Sequence, residues 1–451
     1  MKDYHKTAKN MLEFIEQSPT CFQAVANMKL RLEQAGFREL KETEDWKLDG
    51  GSCYYVTRND SSIIAFSLPD AANAVREEKG SISGQLSRAS KGALGIKGFH
   101  IVASHSDSPS FKIKEEPELM VEDKYVKLNT ERYGGMILST WLDRPLSVAG
   151  RIAVKEKKKI VTKLVHIDKD LLVIPNVAIH MNRDMNKGVE YNPQVDMLPL
   201  FADTVESQGK GSLMKKVAKA AGVKAEDILG HDLFLYVREK GRILGENGEF
   251  VLSPRLDDLQ CVYASLQAFI ESKPSEYINV CAVFDNEEVG SGTRQGADST
   301  FLEDTLYRIS EALSVGRGAF LQWIADSFLI SADNAHAVHP NHPEKADPCN
   351  RPYLNGGLVI KYHGSQKYTT DAVSAAKMKC YCEKAGVPCQ TYANRSDIAG
   401  GSTLGNISTA HVSVSSVDIG LPQLAMHSAV ETAGVRDTEY AVKALRVFWE
   451  E

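Results

Sequence analysis

The chain has 451 residues, of which 43% are hydrophobic and 25% are charged, and its formal net charge is -6. This composition is ordinary for a folded globular protein and excludes wholesale disorder. A mildly acidic chain lacks the basic surface that is typical of nucleic-acid-binding proteins, so we expect no nucleic-acid partner. No apolar run approaches the roughly 18 residues of a spanning helix. We therefore expect no membrane partner and, because the N-terminus lacks the apolar segment of a secretory signal, a cytoplasmic location.

The first 109 residues are predicted to form helices followed by strands. Residues 53–57 and 62–68 are typical of paired strands, and the short apolar run FHIVAS at 99–104 is typical of a buried strand that ends at His105. Residues 70–98 are polar and rich in Ser, Gly and Lys, which favours a long excursion from the fold.

The remainder of the chain divides into two regions of different pattern. Residues 110–250 alternate polar and apolar side chains between turns, which predicts a separate β-rich domain with one helix at about 211–221. From residue 251 strands and helices alternate, and a strand is predicted over HVSVSSVDI at 411–419. This alternation predicts an α/β domain with a largely parallel sheet, made of residues 1–109 and 251–451 and carrying the β-rich domain as an insertion.

Five short segments concentrate His, Asp and Glu where predicted strands end or helices begin. They are SHSDSP at 104–109, RLDDL at 255–259, FDNEEVGSG at 284–292, SADNAHAVHPNH at 331–342 and MHSAVE at 426–431. Ligands of open α/β sheets collect outside the carboxyl ends of the strands. We therefore expect the five segments to meet at one edge of one sheet.

Each segment alone has an ordinary structural explanation. His105 could be a satisfied core histidine, Asp257 and Asp258 could cap a helix, and the acids at 285–288 could form an exposed turn. Together, however, the segments supply two His and three or four carboxylates, which is the ligand set of a two-metal hydrolytic site. Such ligands suit zinc, or cobalt or manganese, and a further carboxylate must take the proton from a bridging water. The Glu287-Glu288 pair offers one acid for each task.

The five motifs, in this order and spacing, resemble those of the M18 metallo-aminopeptidases, the aspartyl aminopeptidase family, over essentially the whole chain. The resemblance implies a phosphorylase/hydrolase-like α/β zinc-peptidase catalytic domain with an inserted β-rich dimerisation domain. It implies two zinc ions per subunit and peptides with a free N-terminus as substrates. It also implies a homo-oligomer, in which dimers build a hollow tetrahedral dodecamer with the active sites facing inward.

The resemblance also implies which residues bind metal. His105 and Asp333 would bind one zinc ion, and Glu288 and His427 would bind the other. Asp257 would bridge the two ions.

Further residues take catalytic and substrate-binding roles by the same resemblance. Glu287 would be the general base, and Asp107 would support the metal-binding histidine next to it. A fixed cation is needed to recognise an acidic side chain, and Lys361 is the candidate. For His180, which matches a family histidine that reaches toward a neighbouring subunit's active site, a metal-ligand role stays open. The implied substrate contacts are His180, His336, Lys361 and Tyr368.

The sequence therefore predicts a metal-dependent aminopeptidase that hydrolyses the N-terminal residue of peptides. The family name suggests Asp or Glu at that position, and neutral residues stay open. Two alternatives remain: an M42-type glutamyl or leucyl aminopeptidase, which shares the EEVG and HS-x-VE elements, and a catalytically silent scaffold of the same fold. Residues 70–98 and the glycine-rich turn at 395–403 depart from the family pattern and bear on substrate preference.

Overall fold

The computed structural model describes residues 3–70, 95–205, 210–274, 276–401 and 403–451. Most of the predicted excursion at 70–98 lies outside the described residues. In the part of the chain that is described, no helix combines the length and the hydropathy needed to cross a membrane.

A nine-stranded sheet forms the centre of the α/β region. Its strands, in spatial order, are β1 (Arg38–Leu40), β2 (Cys53–Arg58), β3 (Ser62–Ser67), β13 (Tyr277–Phe284), β4 (Gly98–His105), β14 (Phe328–Ala332), β18 (Ser415–Gly420), β16 (Leu358–Tyr362) and β17 (Cys389–Ala393). Strands β13, β4, β14 and β18 are consecutive and parallel, whereas β3 and β16 pair antiparallel with them on either side. The predicted parallel sheet is thus confirmed at its centre, and the predicted paired strands β2 and β3 extend the sheet beyond β13.

Helices cover both faces of this sheet. The helices in the described residues are α1 (Asp3–Glu16), α2 (Cys21–Gln34), α3 (Ser212–Ala221), α4 (Leu256–Glu271), α5 (Phe301–Ala312), α6 (Arg317–Asp326), α7 (Ala372–Ala385), α8 (Leu404–His411) and α9 (Asp437–Glu450). Helices α1, α2, α4, α7 and α9 pack on one face, and α5, α6 and α8 on the other. Because side chains alternate across a strand, Ile101 and Ala103 of β4 face the second group while Val102 faces the first. Burial on both faces explains why this strand is a continuous apolar run in the sequence.

Part of the predicted strand at 411–419 is wrong. Strand β18 begins only at Ser415, because His411 ends helix α8. The segment LGNISTAH of α8 is rich in residues of low helix propensity, and it forms where Leu404 packs into the core on the α5 and α6 side. Tertiary packing therefore outweighs local propensity in this segment.

The inserted region folds as a six-stranded antiparallel sheet. Its strands, in spatial order, are β8 (Lys159–His166), β7 (Leu146–Glu156), β10 (Ile228–Val237), β5 (Ser110–Val121), β6 (Tyr125–Tyr133) and β9 (Leu200–Asp203). It has a hydrophobic core of its own, to which Leu213 and Val217 of the predicted helix α3 contribute. The predicted β-rich character and the helix are both confirmed.

A small third sheet contains strands from both the inserted region and the α/β region. Its strands, in spatial order, are β11 (Arg242–Leu244), β12 (Phe250–Ser253), β20 (Glu431–Gly434), β19 (Pro422–Leu424) and β15 (Ala335–His336). The predicted boundary at residue 250 falls within this sheet, since β11 pairs with β12 and β12 pairs with β20. The domain limits themselves stay a prediction.

Gly420, the last residue of β18, allows the backbone of residues 333–335 to approach closely at the carboxyl edge of the central sheet. A Cβ atom at this position would lie 2.2 Å from the carbonyl oxygen of Asp333 and 2.9 Å from the nitrogen of Ala335. The segment 333–335 is held against β18 and the residue after it, because Asp333 N–H donates to Ile419 O at 3.1 Å and Ala335 N–H donates to Leu421 O at 2.9 Å. Glycine is therefore required for Asp333 to take its position.

We predict that Gly420→Ala destabilises the protein by about 1–3 kcal/mol, because the methyl group forces the neighbouring backbone apart. Denaturant unfolding measures the effect. The matched control is Gly318→Ala in α6, where an added Cβ meets nothing within 4 Å and helix propensity favours alanine. Equal stability of Gly420→Ala and the native chain would contradict the close approach.

Candidate metal centre

Three neighbouring parallel strands end at the same place and deliver acidic and imidazole groups to it. His105 is the last residue of β4, Asp333 follows β14, and the Glu287–Val289 turn follows β13. The first turn of α4 contributes Asp257, and the connection between β19 and β20 contributes His427. The five sequence segments therefore meet at the carboxyl edge of the central sheet, as expected.

Asp257 lies between two pairs of side chains, each made of one histidine and one acid. Its Oδ1 is 3.4 Å from Nε2 of His105, and its Oδ2 is 3.6 Å from Nε2 of His427. The Oδ1 atom of Asp333 is 3.9 Å from His105 Nε2, and the Oε2 atom of Glu288 is 3.5 Å from His427 Nε2. One carboxylate thus presents a different oxygen to each pair.

The carboxylates of this cluster are buried, and some of their oxygen atoms accept no hydrogen bond from the described residues. Oδ1 of Asp257 and Oε1 of Glu288 are buried and accept no hydrogen bond from the described residues. Burial, together with the negative charge of Asp257, raises the pKa of Glu288 well above its ordinary value. A buried carboxylate without a partner is costly, and a bound cation would remove that cost.

Three overlapping groups in the described residues place His, Asp or Glu ligand atoms within 4.8 Å of one another. The groups are His105 with Asp257, Asp258 and Asp333; His105 with Glu287 and Glu288; and Asp257 with Glu288 and His427. Imidazole nitrogen and carboxylate oxygen together suit zinc, with cobalt and manganese as alternatives. The donor set and the unpaired buried oxygens therefore fit a metal centre.

The two adjacent aspartates of α4 have different surroundings, and neither is the N-cap. That position belongs to Arg255, whose backbone is left-handed with a φ of 58°. The Oδ2 atom of Asp258 accepts the backbone N–H of His105 at 3.2 Å, and burial raises the pKa of Asp258 well above its ordinary value. Asp258 therefore holds the end of β4, while Asp257 faces the two histidines.

Asp107 supports three neighbours at once. The carbonyl oxygen of Asp107 is 3.1 Å from Nδ1 of His105, and its Oδ1 is 3.4 Å from the same nitrogen. Its Oδ1 accepts the backbone N–H of Glu287 and its Oδ2 that of Glu288, each at 3.2 Å. Burial alone would lower the pKa of His105, but the carboxylates of Asp107, Asp257 and Asp333 raise it well above its ordinary value. These contacts bring Asp107 against His105, and its supporting role stays a prediction.

Glu287 shares a turn with Glu288 and lies beside His105. Burial raises the pKa of Glu287 to about 8, against the lowering effect of a charged His105. Its carboxylate belongs to the same group of ligand atoms as those of His105 and Glu288.

His427 and Glu431 come from one segment of the third sheet. The Nδ1–H of His427 donates to the carbonyl oxygen of Gly135 at 3.1 Å, which leaves Nε2 to face the acids. The buried carboxylate of Glu431 accepts the N–H of His427 at 2.8 Å and that of Asp257 at 3.1 Å. Sequence reasoning assigned Glu431 no role, although it is the last residue of the MHSAVE segment. Its role depends on two backbone groups that only the fold brings together.

The predicted substrate contacts fall into two places. Nζ of Lys361 is 3.4 Å from Oδ2 of Asp333, donates to Asn334 O at 3.1 Å, and lies 5.3 Å from the ring centre of Tyr368. Both Lys361 and Tyr368 are buried, whereas His336, on β15, is exposed. These three residues therefore lie close to Asp333 in space or in sequence.

His180 lies elsewhere. It is exposed in the segment between β8 and β9 of the inserted sheet. It belongs to none of the three groups of metal-holding ligands found in the described residues.

Known proteins resemble this chain in sequence and in fold. The family model of aminopeptidase I zinc metalloproteases (M18) matches residues 14–84 and 87–449. A probable M18 family aminopeptidase 2 of Clostridium novyi (strain NT) is 47% identical, over 100% of this chain and 100% of its own length. A chain of the Ape4 and Nbr1 complex, solved by cryo-EM, is 34% identical with a TM-score of 0.91, over 99% of this chain and 86% of that one. The mApe1 dodecamer of S. cerevisiae is 26% identical with a TM-score of 0.82, over 100% of this chain and 97% of that one.

We predict that zinc stabilises the protein against thermal unfolding, because a cation removes the repulsion among the buried acids. At a free zinc concentration of about 100 times the dissociation constant, the gain is about 2.7 kcal/mol. Differential scanning calorimetry of metal-stripped protein with and without zinc measures it. Asp257→Asn is expected to lose most of this gain, whereas Asp123→Asn, at an exposed turn, keeps it. A melting temperature that zinc does not change would contradict a metal centre here.

Proposed function

This chain belongs to the aminopeptidase I family of zinc metalloproteases (M18), and on that premise we propose that it uses two bound zinc ions to remove N-terminal residues from peptides. The observation that carries the proposal is the Asp257 carboxylate, whose two oxygens face two separate pairs of histidine and acid. Two-metal hydrolytic sites hold their ions about 3.5–4 Å apart, which one bridging carboxylate can span.

Each zinc ion has a proposed set of ligands in this chain. His105 and Asp333 would hold one ion, Glu288 and His427 would hold the other, and Asp257 would contribute to both. When bound at these residues, zinc would supply polarisation of the scissile carbonyl group and a water whose pKa is lowered toward neutrality. The ligand sets are supported by the distances from Asp257 to both histidines and by the unpaired oxygens of Asp257 and Glu288.

Glu287 is the proposed general base. The proposed ligand sets leave its carboxylate free, although it lies within 4.8 Å of ligand atoms of His105 and Glu288. It is therefore placed to accept a proton from water and to pass that proton to the leaving amine. Asp107 accepts the backbone N–H of both Glu287 and Glu288, and so it fixes the turn that carries both the proposed base and the proposed ligand.

The proposed substrate contacts in the same subunit lie next to Asp333. Exposed His336 is placed to meet a peptide that enters from solvent. Lys361 and Tyr368 line the buried side, where the ammonium group contacts the Tyr368 ring and pairs with Asp333. The same ammonium group pairs with Asp333, and recognition of an acidic N-terminal residue by Lys361 stays a prediction.

A homo-oligomer built from dimers is the proposed assembly, and a cytoplasmic location stays a prediction. The similar mApe1 of S. cerevisiae is described as a dodecamer. In this chain Val177, Ile179 and Met181, which flank His180, are 50%, 43% and 82% exposed. Apolar groups exposed together mark a contact surface. We therefore propose that this segment carries His180 into a neighbouring subunit, where it contacts substrate.

We predict that Glu287→Gln lowers kcat for an N-terminal reporter peptide by about 10²–10⁴-fold, because the water loses its proton acceptor. Zinc content, measured on the same preparation, stays at the native level. The control is Glu311→Gln at an exposed position of α5, which is expected to leave both quantities unchanged. Near-native turnover by a zinc-loaded Glu287→Gln variant would refute the general base, and chelator-resistant turnover by the native protein would refute the metal mechanism.

We predict that Lys361→Met lowers kcat/KM for an Asp-initiated substrate more than for a Leu-initiated one, because it removes the cation that pairs with the acidic side chain. The ratio of the two values is the measurement, with Lys379→Met on the exposed face of α7 as the control. An equal loss on both substrates would contradict the recognition of the acidic side chain by Lys361 and would leave its pairing with Asp333 as the role of this residue.

A further inference from the structure

The inserted β-rich sheet reaches the metal centre through one short segment. Strand β6 ends at Tyr133, and the residues that follow pass along the acidic cluster. The carbonyl oxygen of Gly135 accepts the Nδ1–H of His427, and the N–H of Ile137 donates to His427 O at 2.9 Å. A Cβ atom on Gly134 would lie 3.1 Å from Cβ of Glu288. The insertion therefore contacts two of the proposed ligands.

Tyr133 connects this segment to Asp107, which contacts several residues of the metal centre. Its hydroxyl donates to Oδ2 of Asp107 at 2.7 Å and accepts from Nδ2 of Asn286 at 2.8 Å. Its ring packs edge-on against Phe234 of the same inserted sheet, with ring centres 5.3 Å apart. The ring of Tyr133 is thus held within the insertion, while its hydroxyl bonds to Asp107 and to Asn286, which directly precedes the Glu287–Glu288 turn.

The hydrogen bond from Tyr133 acts on ligands of both proposed ions. The Asp107 carboxylate, which accepts it, also places its Oδ1 3.4 Å from Nδ1 of His105 and accepts the backbone N–H groups of Glu287 and Glu288. His105 belongs to one proposed ion and Glu288 to the other. A shift of the Asp107 carboxylate would therefore move both sides of the centre.

We propose that Tyr133 is a positioning residue for the metal centre, through which the docking of the inserted sheet determines zinc affinity. By holding Asp107, the hydroxyl keeps His105 and the Glu287–Glu288 turn in the geometry that binds metal. The proposal rests on the proposed function, since it concerns the same two zinc ions. Loss of a partner that orients metal ligands typically weakens metal affinity by about 10–100-fold.

The test compares zinc affinities of the full chain by competition with a chromophoric chelator. Tyr133→Phe keeps the ring contact with Phe234 and removes only the hydroxyl. We expect it to bind zinc about 10–100-fold more weakly and to release zinc faster than the native protein. The matched control is Tyr236→Phe, which removes a buried hydroxyl that donates to Ile167 O at 3.0 Å within the same sheet. We expect the control to keep native zinc affinity, and thermal unfolding of both metal-stripped variants measures any general loosening.

Three outcomes would overturn the proposal. Native zinc affinity in Tyr133→Phe would remove the positioning role and leave the proposed function standing. Equal weakening in Tyr133→Phe and Tyr236→Phe would assign the effect to a loosened inserted sheet. A native protein that retains no zinc would overturn this proposal and the proposed function together.

Discussion

The crowding of carboxylates at one buried edge of the central sheet is the constraint on which the rest of this structure depends. Asp257, Asp258, Asp333 and Glu288 lie close together, and burial together with mutual repulsion raises the pKa of Asp258 and Glu288. Among the described residues, only His105, His427 and Lys361 pair with these carboxylates. Lys361, the one cation of the three that is not a histidine, pairs with Asp333 alone. Groups of like charge in so little space require further positive charge, and zinc is the charge that the family uses.

Hydrogen bonds from backbone N–H groups to buried carboxylates hold the cluster and its histidines in place. Asp107 accepts two from the turn after β13, Asp258 accepts one from the end of β4, and Glu431 accepts one each from Asp257 and His427. Hydrogen bonds to charged acceptors are the stronger kind, and backbone donors have little freedom to move. The protein can therefore keep a set of mutually repelling ligands in a fixed arrangement.

The inserted sheet is more than an attachment to the catalytic region. It has a hydrophobic core of its own, yet its residues 133–140 bond to His427 and to Asp107. The third sheet joins the two regions again, since β11 of the inserted region pairs with β12, which in turn pairs with β20, the strand that begins at Glu431. Assembly through the inserted region, which the family resemblance implies, would thus take place on the same structural unit that supports the ligands.

The sequence by itself determined the family, through the order and spacing of five motifs, and it predicted the α/β core with its β-rich insertion and the meeting of those five segments. It could do so because buried parallel strands appear as apolar runs, and because ligands must follow their carboxyl ends. The choice of the M18 over the M42 family is confirmed by the family match, while the ligand roles and the acidic preference stay predictions. Only the tertiary structure decided the helix at Leu404–His411, the five-stranded third sheet, and the supporting contacts of Glu431 and Tyr133. These features depend on groups distant in the chain, such as Tyr133 and Asp107, and no local pattern of residues encodes such a contact.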